Sequence, residues 1–156
     1  MAELVVSVEV DATPERTWRA LVDWESQGDW MLGTRVRGTE RGGHAVGGGL
    51  VAVTGVGPLA VHDSMVVTQW EPPQRCVVRH TGRAIQGAGA FEVEPLPGGR
   101  SRVVWSEWVV PPLGLLGQAG WLLVRPLVRA GVAYSLRRLA GTLAQPPSDA
   151  SPIGAG

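Results

Sequence analysis

From Gly33 to Val110 the sequence is punctuated by glycine and proline at the intervals of a β-hairpin stack. Gly47-Gly48-Gly49, Gly57-Pro58, Glu71-Pro72-Pro73-Gln74 and Pro97-Gly98-Gly99 are turn chemistry, because Gly admits positive φ and Pro presets a turn. Between the turns lie valine-rich, alternating runs: LVAVTGV, LAVHDSMVVTQW, Arg75–Thr81, Gly87–Glu94 and Arg102–Val110. Links this short leave only antiparallel pairing, so the middle of the chain is predicted to be a meander.

The flanks differ. Glu3–Asp11 reads as a strand, and Thr13-Pro14-Glu15 opens a helix with a side-chain cap, a proline and an early acid. Trp18, Leu21 and Val22 give that helix one apolar stripe, and Trp24–Trp30 reads as a short second helix or turn. In Leu113–Ala144, Trp121, Val128, Val132, Leu136, Leu139 and Leu143 recur at helical spacing; Pro126 within it predicts a kink or break. The expected class is α+β: a curled antiparallel sheet of six to seven strands gripping a long C-terminal helix, with two short helices after the first strand. A twisted sheet of that width curls, and a helix laid across it leaves room for a ligand. One domain over residues 3–144 is expected, followed by a disordered tail over 145–156 (QPPSDASPIGAG).

Composition narrows function by exclusion. Fourteen cations balance fourteen acids, without the basic excess a phosphate-backbone binder needs, so no nucleic-acid partner is expected. Every cation is Arg, and neither Lys nor Asn occurs, a pattern expected of a GC-rich bacterial genome. A single cysteine, Cys76, excludes an internal disulfide. The opening MAELVVSVEV lacks the basic start of a signal peptide. The uncharged run Val109–Val124 holds two prolines and three glycines and falls short of the ~20 residues a span requires. No integral membrane segment and a cytoplasmic location are therefore expected. Seven Trp against one Phe and one Tyr is unusual, and those rings need places in a wide interior.

Several of these segments together resemble the START-like, helix-grip proteins of the SRPBCC superfamily, and within it the bacterial polyketide cyclase/dehydrase and lipid-transport group. Asp11–Trp18 resembles the entry to that family's first helix, and Trp24 and Trp30 its aromatic pair. Trp70-Glu71-Pro72-Pro73-Gln74-Arg75, Gly87-Ala88-Gly89-Ala90-Phe91 and Pro97-Gly98-Gly99-Arg100-Ser101-Arg102 are similar to its turn, strand and hairpin motifs. The resemblance implies a fold with an apolar cavity and does not imply a reaction.

Alternation nominates the cavity residues. With Phe91 and Val93 inward on one strand and Val103 and Trp105 inward on the next, Glu107 also faces in. A buried carboxylate needs a partner. Arg129, or Arg125 with its phase disturbed by Pro126, falls on the apolar stripe of the long helix, so a Glu107–Arg pair inside the cavity is the expected polar feature. Cys76, Val78 and His80 share an inward face. Trp30, Val78, His80, Phe91, Trp105, Glu107, Trp121, Arg125, Arg129 and Val132 are the expected ligand-binding residues; Glu107 and His80 are the candidates for catalysis. His62 and Asp63 are adjacent and point to opposite faces, which argues against a metal site, and no cofactor is expected. His44 and the glycines around it read as an exposed, flexible hairpin tip without a phosphate-loop pattern. Trp121–Val124 reads as cavity lid or core before it reads as a membrane-touching segment.

The leading expectation is a binder of a hydrophobic small molecule (lipid, polyketide or related metabolite), as monomer or homodimer. The alternatives are a polyketide cyclase, aromatase or dehydratase in the same cavity, and a protein-interaction module without ligand.

Overall fold

The computed structural model describes residues 2–146. Seven strands form one antiparallel sheet: β1 (Ala2–Val10), β2 (Thr34–Gly38), β3 (Gly49–Thr54), β4 (Val61–Glu71), β5 (Arg75–His80), β6 (Gly87–Leu96) and β7 (Arg100–Val109). Their spatial order is β1-β7-β6-β5-β4-β3-β2. Strands β2 to β7 are thus a pure meander, and β1 closes the far edge against the last strand. Helix α1 (Pro14–Leu21) and a 3-10 segment (Trp24–Asp29) connect the two edges. Helix α2 (Gly114–Ala144) lies across the concave face of the curled sheet. The expected tail over 145–156 lies outside the described residues from position 147 onward.

Thr13 caps α1, its Oγ1 accepting from the Arg16 N–H at 3.3 Å, and Pro14 occupies the first turn. The core combines Leu4, Val6 and Val10 of β1, Trp18 and Leu21 of α1, Val93 and Val103 of the hairpin, and Leu136, Leu139 and Leu143 of α2. A buried Thr17–Ser101 hydroxyl pair at 2.8 Å fastens α1 to β7.

Two expectations are corrected. Of the kink or break expected at Pro126, the break does not occur: helix α2 is continuous through it. The glycine-rich segment is packed rather than a loose tip: Gly43 and Gly48 are buried, and the Trp24 indole N–H donates to the Gly43 carbonyl at 3.1 Å. A Cβ at Gly43 would collide with the Leu50 side chain, and φ there is +72°. Glycine is needed for both reasons. His44 is solvent-exposed as a residue, yet it stacks on Trp24 and its Nε2 lies 2.8 Å from the Val22 carbonyl.

Candidate functional site

A cavity of about 650 Å³ lies between the sheet and α2. Its walls are mostly apolar, including Leu4, Met65, Cys76, Val78, Phe91, Trp105 and Val132. It reaches toward the end of the sheet that carries the β3–β4 and β5–β6 loops, where Val61, Ile85, Val109, Trp121 and Val128 border it.

Three ionisable side chains meet inside. On β5, His80 stands opposite Met65 of β4, and Asp63 is the next inward residue along β4. On β7, Glu107 stands opposite Gly89 of β6. The His80 Nδ1 lies 2.7 Å from Asp63 Oδ2, and its Nε2 lies 3.3 Å from Glu107 Oε2. Both facing atoms are carboxylate oxygens, an arrangement that favours a doubly protonated ring donating from both nitrogens. Burial works against that charge, but the hydrogen bonds and charges of Asp63 and Glu107 outweigh it and raise the His80 pKa to about 9. The Trp105 indole N–H donates to Glu107 Oε1 at 2.8 Å. The second Asp63 oxygen, Oδ1, is buried without a hydrogen-bond partner. Glycine at position 89 leaves room for the carboxylate, since a Cβ there would come within 2.8 Å of Glu107 Oε1.

Cys76 sits in the cavity wall, and burial pushes its thiol up to about 12. Phe91 and Trp105 meet edge to face at 5.0 Å, and Trp30 packs on the far side of Trp105 at 6.5 Å. Trp18, Trp70, His44 and Trp24 form a second aromatic chain, edge to face except for the stacked Trp24–His44 pair, and Trp24 borders the cavity.

Of the residues nominated from sequence, Val78, His80, Phe91, Trp105, Glu107, Trp121 and Val132 border the cavity. Trp30 does not; it supports Trp105 from behind. The expected Glu107–Arg pair is replaced by Glu107–His80. The Arg129 guanidinium donates to the Val5 carbonyl of β1 at 2.9 Å, because α2 crosses close to that edge strand. Arg125 borders an outer depression with Glu3, Pro111 and Gln118. Sequence reasoning misses Asp63 as a cavity residue. Its alternation with Met65 and Val67 carries the signal, but assigning the inward face requires the β4–β5 register.

Comparisons with known proteins agree with this architecture. The TTHA0849 protein of Thermus thermophilus superposes with a TM-score of 0.76 at 18% identity, covering 91% of this chain and 97% of that one. Protein CV1439 of Chromobacterium violaceum gives 0.65 at 17%, covering 94% and 100%. A structure described as the Aha1 dimer from Colwellia psychrerythraea gives 0.66 at 15%, covering 92% and 97%. At these identities the likeness establishes the fold alone. No curated protein matches by sequence. A family model described as polyketide cyclase / dehydrase and lipid transport matches residues 1–144, which include every strand and both helices, and the chain belongs to that family.

Proposed function

We propose that the chain binds a hydrophobic small molecule, a lipid, polyketide or related metabolite, between its sheet and α2. The observation that carries this reading is the apolar cavity of about 650 Å³ with one polar cluster inside it. Small-molecule sites have this size and this division between apolar wall and a few fixed polar groups. Val78, Phe91, Trp105, Trp121 and Val132 would supply contact area, at ~25 cal/mol per Å² of apolar surface buried. His80 and Glu107 would orient the guest, with Trp30 behind the wall and no cofactor involved. The working unit is residues 3–144, as a monomer or homodimer in the cytoplasm; a dimeric relative supports the second state.

Native mass spectrometry of the purified protein, followed by organic extraction, tests this. The expected result is an adduct that extracts as an apolar molecule. Val78→Trp, which puts a bulky ring into the cavity, should weaken or displace the adduct. Absence of an adduct, together with no uptake of alkyl or aromatic probes, would reject the reading.

A second reading, a cyclase or dehydratase in the same cavity, draws on the hydrogen-bonded His80–Glu107 contact. Both His80 nitrogens face carboxylates, so Glu107 would be the group that takes a proton from substrate, with His80 holding it in place. In that case Glu107→Gln would retain binding and lose turnover. Binding lost together with turnover would leave Glu107 an orienting group.

A further inference from the structure

We propose that the cavity selects guests whose polar end donates hydrogen bonds, a primary ammonium ahead of a hydroxyl, and rejects carboxylates. This rests on the binding reading above and adds the chemistry of the head group.

Asp63 and Glu107 bring two carboxylates to one imidazole, so the cluster carries a net negative charge even with His80 protonated. Among the described residues, no Arg side chain borders the cavity, and the chain has no Lys. Arg129 is held by the Val5 carbonyl, and Arg125 borders the outer depression. Nothing inside can neutralise a second anion, and stripping water from an unpaired carboxylate is costly.

The remaining hydrogen-bonding capacity points the same way. Both His80 N–H groups are already directed at carboxylates, and the Trp105 N–H at Glu107 Oε1. Ser135 accepts from the Leu32 N–H and donates to the Gly131 carbonyl, and the Gln27 amide donates to the Leu21 carbonyl. Within the polar cluster, what remains free is the acceptor capacity of Glu107; the Trp121 indole N–H, without a hydrogen bond among the described residues, borders the cavity from α2. Asp63 Oδ1 has no hydrogen-bond partner among the described residues, but it is enclosed and meets a guest through its charge alone. The Glu107 side chain is 20% exposed, with lone pairs beyond those used by Trp105 and His80. At the polar cluster a guest with N–H or O–H groups finds an acceptor in Glu107, and a guest with only acceptors finds no free donor. The raised His80 pKa fits the same picture, since it registers the excess of negative charge around the ring.

The test is a matched series with a common twelve-carbon chain: dodecylamine, dodecanol and dodecanoate, each below its critical micelle concentration at pH 7. Each displaces the neutral fluorophore N-phenyl-1-naphthylamine from the intact protein. Dodecylamine should displace it at roughly tenfold lower concentration than dodecanoate or better, with dodecanol between, the size expected of a charge-assisted hydrogen bond. Glu107→Gln should cut the amine preference by about tenfold. Trp105→Phe, which keeps a ring but frees Glu107 Oε1, should retain or increase it. The wild-type ranking needs no variant to fold, and thermal unfolding with fluorophore uptake checks both variants. Failure of the wild type to take up the fluorophore would overturn the binding reading and this inference with it. Uptake with dodecanoate equal to or ahead of dodecylamine would overturn this inference alone, as would an amine preference undiminished in Glu107→Gln.

Discussion

The two halves of α2 face opposite fates within one continuous helix. From Arg129 onward it is tied down. Leu136 and Leu139 are 0% and 2% exposed, the Ser135 hydroxyl receives the Leu32 N–H, and Arg138 donates to the Asp29 carbonyl at 2.7 Å. Before Arg129, Leu116 and Leu123 are 79% and 80% exposed, and Leu115, Leu122 and Leu127 are open as well. Trp121 and Val128 are the residues of this half that border the cavity. The packed half belongs to the end of the molecule that holds the fold together, beside α1 and the Thr17–Ser101 pair. The open half flanks the end where the polar cluster and the loops lie. Stability and binding are therefore assigned to different ends of the same cavity wall.

Breaking the packed end should have the largest effect. Leu139→Ala should lower unfolding free energy by about 2–5 kcal/mol in denaturant titrations, because it removes a fully enclosed side chain and leaves a hole. A loss below about 1 kcal/mol would mean that the two halves are less different than their burial implies.

The next effect belongs to the open end and depends on pH. His80 has a folded pKa of about 9 against an ordinary value of 6.5, so its protonated form is favoured by folding. That contribution is complete below about 6.5, declines above it, and is gone once pH passes about 9. A loss of order 1–3 kcal/mol between about pH 6 and about pH 9.5 is expected, and it should vanish in His80→Gln. A stability curve that is flat or rising over that window in the wild type would contradict the imidazolium assignment.

Within the packed half, Ser135→Ala removes the acceptor for the Leu32 N–H. It should cost about 1 kcal/mol by thermal or chemical melts, a typical figure for one partly buried hydrogen bond. The smallest effect is expected from Leu123→Glu on the open half, within about 0.5 kcal/mol of wild type. A larger loss, with a change in sedimentation, would show that this face is covered in solution by a second copy.

The strands are legible in the sequence because alternation and turn chemistry are local. Parity alone assigns Cys76-Val78-His80 and Trp105-Glu107 inward, and all five residues border the cavity. It does not reach Asp63, because a register shift between Val67 and Gln69 breaks the parity that would carry a face assignment back along β4 from its turn. The partner of Glu107 escapes sequence reasoning for a related reason. Helical spacing shows that Arg129 shares a stripe with Val132 and Leu136, but not which part of that stripe meets the cavity and which meets β1. In Leu113–Val128 the sequence is apolar nearly all around, so periodicity carries no orientation there. The packing of the glycine loop against Trp24 and Leu50 is a long-range fit that no local pattern encodes.

The placement of β1 has a kinetic consequence. Its one partner in the sheet is β7, so the first strand of the chain finds its hydrogen bonds only after the last has been made. The meander can assemble by neighbouring hairpins, each closing a short loop, whereas docking β1 closes a loop of nearly the whole domain. During synthesis a valine-rich strand would stand unpaired while the rest of the sheet emerges. The slow step of folding is therefore expected to be the stitching of β1 to β7. Substitutions along that seam, such as Val6→Ala or Val103→Ala, are expected to slow folding more than equally destabilising ones within β2–β4.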